Sequence, residues 1–166
     1  MTEQEQLKKA IRFAKAAHAG QTDRGGHPYE EHLAAVAGGC ETVAQQTVGW
    51  LHDIIEDTDV DAARLREEGF APEIVEAVVL LTKEYTPDFD YYEYLSAICE
   101  NPLACAVKKS DLLHNMDTSR LAEVTDADRE YQRKYEVSRL FLNGDLEAGF
   151  VFPADWSKPG NGKRKQ

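Results

Sequence analysis

The segment at residues 41–57, ETVAQQTVGWLHDIIED, decides the fold predicted for this chain. Its apolar residues recur at helical spacing and surround most of the helix, a pattern typical of an element that is packed on several sides. We therefore predict a buried central helix from residue 41 to about residue 56. The end of the segment carries four titratable side chains, which are His52, Asp53, Glu56 and Asp57.

Helical spacing continues on both sides of this segment, and no stretch has the alternation typical of strands. Glycine or proline stands near many of the joints between the predicted helices, which cover residues 3–19, 28–36, 61–68, 72–82, 89–99, 102–116 and 126–141. The sequence predicts an all-α, single-domain helical bundle over residues 1–150. The C-terminal segment 151–166 follows, and its polar, basic end from residue 157 is expected to be disordered.

The composition excludes several classes of protein. With 166 residues the chain fits one compact domain, and its formal charge of −11 argues against a protein that neutralises nucleic acid phosphates. No stretch approaches the roughly 18 apolar residues of a membrane span, and the N-terminus lacks the pattern of a signal peptide. The three cysteines form no CxxC pair, so neither a disulfide framework nor a thiolate zinc site is indicated. We expect a cytoplasmic protein with no nucleic acid or membrane partner, whose oligomeric state the sequence leaves open.

The titratable cluster on the central helix suggests a bound metal. A continuous helix would place Glu56 one turn after His52 and Asp57 one turn after Asp53, in two adjacent stripes. Burying these groups on a largely apolar helix is costly unless a cation or hydrogen bonds compensate. Because neighbouring residues diverge by about 100° around a helix, other helices must complete the shell of a shared ion.

The candidates for the outside ligands are His32 and Asp111. Asp111 lies at the border of an apolar helix face, and Lys108 and Asn115 fall within about 60° of it. Two imidazoles and two carboxylates suit a six-coordinate Mn²⁺ or Fe²⁺ better than a closed structural zinc. Spacing alone leaves the alternative open that these are ordinary helix histidines and salt-bridged carboxylates.

Several other side chains are predicted to be structural. His114 points with the apolar face of its helix and is expected in the core. The tyrosines at positions 91, 92 and 94 are expected to pack rather than to bind a base. Trp156 is expected to anchor the C-terminal segment to the body of the domain.

Five segments of the chain resemble, in the same order, the HD-domain metal-dependent phosphohydrolases. The similarity is most specific to the hydrolase domain of the RelA/SpoT enzymes and to the stand-alone small alarmone hydrolases. The segments are AHAGQ at 17–21, PYEEH at 28–32, LHDIIEDT at 51–58, LTK at 81–83 and KKSDLLHNM at 108–116. A lone His-Asp pair is weak evidence, whereas five ordered matches are specific.

The resemblance implies both a fold and a site. The fold is an HD-domain helical bundle, and the metal is manganese, with Fe²⁺ or another divalent ion as alternatives. The implied metal ligands are His32, His52, Asp53 and Asp111. The implied acidic pair acting on the attacking water is Glu56 and Asp57, and the implied nucleotide-binding residues are Arg24, Asn115 and Thr118.

The activity that the resemblance implies is hydrolysis of the 3′-pyrophosphate of an alarmone such as (p)ppGpp. The chain departs from the family pattern at three positions where basic residues are common. Asp23 stands at one of them, just before Arg24, and Leu112 and Asp117 stand at the other two. These losses fit either a less charged substrate or compensation by other bases. The candidates for compensation are Arg120, Arg133 and Lys134.

Two other functions remain open at this point. One is an HD phosphohydrolase that acts on a different nucleotide, and the other is a non-catalytic, metal-stabilised helical regulatory module. The acidic pair argues against the second, since a structural ion has no use for two further carboxylates. We expect no alarmone synthesis, because 166 residues are too few to hold the synthetase domain of the long RelA/SpoT enzymes.

Overall fold

A computed structural model describes residues 1–160 as helices joined by short loops. The helices are α1 Glu3–Ala17, α2 Tyr29–Gly38, α3 Val43–Leu51, α4 Ile54–Asp57, α5 Ala62–Glu67, α6 Pro72–Leu81, α7 Tyr91–Glu100, α8 Pro102–Asn115 and α9 Asp126–Leu142. Short 3-10 turns lie at Thr118–Arg120 and Ala154–Ser157. Within the described part of the chain, β-structure is limited to one isolated bridge between Thr22 and Pro28. The all-α prediction is confirmed.

The starts of the helices are determined by residues that satisfy free backbone N–H groups. At α3, the hydroxyl of Thr42 accepts a hydrogen bond from the amide of Gln45, and the Gln45 side chain accepts one from the amide of Thr42. The same reciprocal cap occurs at Thr2 and Thr125. Proline begins α6 and α8, where the missing N–H costs nothing. Local sequence therefore fixes where these helices begin.

Helix α3 is central, as predicted. It packs against α1, α2, α6 and α8, and the side chains of Val48, Leu51 and Ile54 are fully buried in this region. Burying each such side chain contributes about 1.5–3 kcal/mol. Helix α3, at the centre of the core, is therefore followed directly in sequence by His52 and Asp53.

The prediction of one continuous helix from residue 41 to residue 56 is wrong. Helix α3 ends at Leu51 and α4 begins at Ile54. The backbone at Asp53 has φ −102° and ψ 1°, outside the regular helical range. The imidazole of His52 binds the carbonyl of Gly49 at 2.6 Å, which is the group that an uninterrupted helix would offer to the amide of Asp53. The two side chains therefore lie at a break rather than on a regular helical stripe.

Gly49 allows α3 to approach α2 closely. A Cβ atom built at Gly49 would lie 2.9 Å from Cα of Ala37, whereas one at Gly38 would meet nothing within 4 Å. We expect Gly49→Ala to lower the free energy of unfolding by about 1–3 kcal/mol, because the added methyl forces the helices apart. The matched variant Gly38→Ala should be neutral or stabilising by about 0.5–1 kcal/mol. Urea unfolding measures both, and equal stability of the two variants would contradict the close approach.

The C-terminal segment is anchored by Trp156, as predicted. Its side chain is buried and meets the ring of Tyr91 edge-on, with centroids 6.2 Å apart. The hydroxyl of Ser157 accepts a hydrogen bond of 2.9 Å from the amide of Tyr91. Of the tail predicted to be disordered, residues 161–166 lie outside the described residues. None of the helices within residues 1–160 has the length and apolar character needed to cross a bilayer.

Candidate metal centre

A cavity of about 340 Å³ opens where α2, the α3–α4 break and α8 meet. The metal ligands implied by the sequence line it, one from α2, two from the break and one from α8. The loop after α1 and the N-terminal half of α9 form further parts of its wall. The cavity therefore combines elements from most of the chain around one cluster of polar side chains.

The four implied ligands are buried, and each imidazole lies close to both carboxylates. The Nε2 atom of His32 is 3.1 Å from Oδ1 of Asp111 and 3.6 Å from Oδ2 of Asp53. The Nε2 atom of His52 is 3.1 Å from Oδ2 of Asp53 and 3.4 Å from Oδ1 of Asp111. Two donor atoms about 2.1 Å from one ion lie about 3.0–3.5 Å apart at octahedral or tetrahedral angles. These distances are close to those expected between ligands of one divalent cation. The ligand atoms of His32, His52 and Asp53 all lie within 4.8 Å of one another, and Asp111 joins this group through its short distances to the two imidazoles.

The electrostatics of the cluster also favour a cation. Burial by itself lowers the pKa of an imidazole, but the carboxylates of Asp53 and Asp111 outweigh it and raise the pKa of His52 to about 10. The pKa of His32 is raised for the same reason. The Nε2 atom of His52 is buried and has no well-aligned hydrogen bond among the described residues. A divalent ion would replace protons on these imidazoles and use that nitrogen.

The Asp111 carboxylate is held by its own helix. Lys108 donates to Oδ2 at 2.9 Å and Asn115 donates to Oδ1 at 3.1 Å. Burial raises the pKa of Asp111, but the ammonium of Lys108 and the two imidazoles hold it well below its usual range. The predicted polar stripe of Lys108, Asp111 and Asn115 is therefore confirmed. Asn115, implied as a nucleotide-binding residue, lines the cavity and also contacts a candidate metal ligand.

The implied acidic pair lies beside this cluster. Asp53, Glu56 and Asp57 each place a carboxylate oxygen within 4.8 Å of the other two. One oxygen of Glu56 accepts a hydrogen bond of 2.8 Å from the amide of Lys83, which fixes the carboxylate against the LTK segment. Both members of the pair line the cavity. They are therefore close enough to the candidate ligands to act on the same small molecule.

Sequence reasoning missed Tyr29, whose hydroxyl lies between the carboxylates of Asp53 and Asp57. Its hydroxyl donates to Oδ2 of Asp53 at 2.5 Å and lies 3.4 Å from Oδ2 of Asp57. Its ring stacks on the ring of His18, with centroids 5.2 Å apart, and its centroid lies 5.4 Å from that of the His32 ring. The available signal was its position three residues before His32, which places both on one face of α2.

The prediction that His114 belongs to the core is wrong. Its ring lines the cavity, and its Nδ1 atom lies 2.7 Å from Nδ1 of His32. The neighbouring Leu113 is 51% exposed. The buried face of α8 includes Lys108 and Asp111, so the helix is rotated away from the orientation that its apolar residues alone would favour.

The three implied nucleotide-binding residues are not all at the cavity. Arg24 lines it, and its guanidinium pairs with Asp128 and lies 4.6 Å from the ring centre of Tyr131. Thr118, on the 3-10 turn, lies outside the lining residues, although Asp117 and Arg120 on either side belong to them.

Three basic residues were candidates to replace those missing from the family pattern. Two of them, Arg120 and Lys134, line the cavity. Arg133 instead lies over the ring of Trp156, at 5.9 Å, outside the cavity lining. The sequence reasoning also missed Lys83, which lines the cavity. The cavity wall therefore has basic side chains besides Arg24, although carboxylates are more numerous among the described residues that line it.

No family model matches the chain. Over 124 residues it is 33% identical to a protein of Synechocystis named probable guanosine-3′,5′-bis(diphosphate) 3′-pyrophosphohydrolase, an alignment that covers 66% of this chain and 16% of the relative. A protein of Aquifex aeolicus named guanosine-3′,5′-bis(diphosphate) 3′-pyrophosphohydrolase is 30% identical over 127 residues, with 69% and 18% covered. A GTP pyrophosphokinase of Streptomyces coelicolor is 27% identical over 142 residues, with 80% and 17% covered. The chain spans about a sixth of the length of these relatives.

The fold also has a solved counterpart. A metazoan ortholog of SpoT, described as hydrolysing ppGpp, superposes with a TM-score of 0.64. The two chains share 19% sequence identity, and the match covers 86% of this chain and 88% of the other. The predicted single-domain HD fold and the resemblance stated from the motifs are both confirmed.

Proposed function

We propose that this HD-domain chain, which resembles the RelA/SpoT hydrolases, is a metal-dependent hydrolase that removes the 3′-pyrophosphate of a nucleotide alarmone such as (p)ppGpp. The observation that carries the proposal is the convergence of two imidazoles and two carboxylates beside a second pair of carboxylates, all of which line one cavity. The names of the Synechocystis and Aquifex relatives support this activity.

The metal would be held by His32, His52, Asp53 and Asp111. A divalent ion bound there would supply Lewis acidity, which offsets negative charge developing on the phosphoryl oxygens and acidifies water. Our proposal is Mn²⁺, with Fe²⁺ or another divalent ion as alternatives, because a mixed nitrogen and oxygen donor set suits these metals. Tyr29 holds the Asp53 carboxylate in place by its hydrogen bond.

Glu56 and Asp57 would orient the attacking water and take its proton. General base catalysis of this kind contributes about a hundredfold to ten-thousandfold. The oxygen of water would form a bond to the phosphorus next to the ribose while the bond from that phosphorus to the ribose 3′ oxygen breaks. The carboxylate that takes the proton of the water would return it, directly or through solvent, to the departing 3′ oxygen. The products are pyrophosphate and the nucleotide with a free 3′ hydroxyl.

The nucleotide would lie between the metal centre and α9. Within the described part of the chain, five basic residues line the cavity, and Lys108 among them is paired with Asp111. The other four can pair with the phosphates of the nucleotide, and they are Arg24, Lys83, Arg120 and Lys134. Tyr131 and Tyr135, whose rings stack at 6.2 Å, provide an apolar surface for the base. Asn115 also lines the cavity and would hydrogen-bond the sugar or a phosphate of the nucleotide.

A second candidate is hydrolysis of a different, less charged nucleotide. Its support is the acidic residues at the cavity wall, where Asp117 replaces a common basic residue and Asp23 pairs with Arg120. Glu31, outside the lining, also pairs with Arg120. Acids next to the bases reduce the attraction for a substrate with several phosphates. The two candidates therefore differ in the charge that the substrate should carry.

A nucleotide panel tests these functions. Purified protein with added Mn²⁺ is incubated with guanosine and adenosine 3′-pyrophosphates, and with ordinary mono-, di- and triphosphates. We expect pyrophosphate from the 3′-pyrophosphates and no turnover after chelation of the metal. Release from other nucleotides instead would favour the second candidate. Metal-dependent melting without any turnover would indicate the non-catalytic module.

A further inference from the structure

The two candidate histidine ligands are oriented in different ways. The Nδ1–H of His52 donates to the backbone carbonyl of Gly49 at 2.6 Å, within its own helix. The Nδ1 atom of His32 instead faces Nδ1 of His114 at 2.7 Å, and the ring centres are 5.0 Å apart. His114 lies on α8 and His32 on α2, so the second contact joins two helices.

A separation of 2.7 Å between two imidazole nitrogens requires one hydrogen between them. If Nε2 of His32 binds a cation shared with Asp53 and Asp111, that nitrogen uses its lone pair, and the hydrogen of the ring lies on Nδ1. His114 must then accept that hydrogen through Nδ1 and carry its own on Nε2. The opposite assignment would place a hydrogen on Nε2 of His32 and prevent that atom from binding a cation.

We propose that His114 is a positioning residue, which accepts the Nδ1–H of His32 and thereby holds the Nε2 lone pair of His32 towards the divalent ion. The inference rests on the metal site of the proposed function. Asp111 is three residues before His114, so both lie on one face of α8. That helix therefore supplies one ligand and fixes the orientation of another.

The test compares His114→Phe with Leu113→Phe, which introduces the same side chain at the adjacent exposed position. Mn²⁺ affinity is measured from the electron paramagnetic resonance signal of the free ion. Losing the partner of a metal-bound histidine costs about ten- to a hundredfold in affinity. We expect that loss in His114→Phe and an unchanged Kd in Leu113→Phe. Thermal melting of both variants without metal checks that they fold.

A third variant separates orientation from packing. His114→Gln keeps an oxygen that can accept a hydrogen bond from the Nδ1–H of His32. Its Kd for Mn²⁺ should therefore be closer to the wild-type Kd than the Kd of His114→Phe is. At saturating Mn²⁺ the turnover of His114→Phe should largely recover, because His114 acts through His32. An unchanged Kd in His114→Phe, or a turnover loss that saturating Mn²⁺ does not restore, would overturn the inference.

The outcomes for the wild type distinguish this inference from the proposed function. Wild-type protein that binds Mn²⁺ but hydrolyses none of the nucleotides overturns the activity, while the affinity comparison still decides the role of His114. Wild-type protein that binds no Mn²⁺ overturns both.

Discussion

Asp53→Asn should abolish hydrolysis, with turnover lowered by at least about a thousandfold and Mn²⁺ binding lost over the range that saturates the wild type. The Asp53 carboxylate lies 3.1 Å from Nε2 of His52 and 3.6 Å from Nε2 of His32. It belongs both to the group that it forms with these two imidazoles and to the group that it forms with the acidic pair. An amide keeps the shape but removes the charge that would hold a cation. Equilibrium Mn²⁺ binding and steady-state release of pyrophosphate measure the two effects.

Asp59→Asn is the matched control for this substitution. Asp59 is exposed, and it lies only six residues further along the chain. Its amide variant should bind Mn²⁺ and turn over as the wild type does. Thermal melting adds a readout that does not depend on activity, because a ligand at a hundred times its Kd stabilises a fold by about 2.7 kcal/mol. Mn²⁺ should raise the melting temperature of the wild type and of Asp59→Asn. A comparable rise in Asp53→Asn would contradict the assignment of Asp53 as a metal ligand.

Glu56→Gln should lower turnover by about a hundredfold to ten-thousandfold while the Kd for Mn²⁺ changes by only a few fold. The amide oxygen of glutamine can still accept the hydrogen bond that Lys83 donates to Glu56, so the local structure should survive. What the variant loses is a group that can take a proton from water. Asp57→Asn, at the neighbouring member of the pair, should behave in the same way.

Measuring turnover and Mn²⁺ affinity separately decides between an enzyme and a non-catalytic regulatory module. Glu84→Gln serves as the control, since Glu84 is exposed and lies next to Lys83 in sequence. Loss of turnover with retained Mn²⁺ affinity in Glu56→Gln supports catalysis by the acidic pair. A Glu56→Gln variant as active as Glu84→Gln would remove the acidic pair from the mechanism.

Much of the fold could be predicted from the sequence because the signals are local. Helix α8 begins at Pro102 and α3 begins after Thr42, and in each case a residue within three positions satisfies or removes a free amide. The central position of α3 followed from the apolar residues around its circumference. The break at His52 and Asp53 could not be predicted in this way, because apolar periodicity does not report the contact of the His52 imidazole with the Gly49 carbonyl.

The candidate ligands were predicted in part from chemistry and in part from the order of the motifs. The chemistry of His52 and Asp53 called for ligands from elsewhere in the chain, and the motifs implied His32 and Asp111. Their roles as ligands, and those of the acidic pair, stay predictions until metal binding and turnover are measured. Thr118 shows the limit of carrying a role over by motif, since it lies beside the cavity lining rather than in it.

The sequence by itself determined the helices, the titratable segment in their midst and the types of side chain available to a cation. Only the tertiary structure decided which of these side chains meet. Tyr29 reaches Asp53 across 24 positions, and His114 reaches His32 across 82. Capping and periodicity act within one turn of helix, whereas these contacts depend on how α2, α3 and α8 pack against one another, a property that no local pattern encodes.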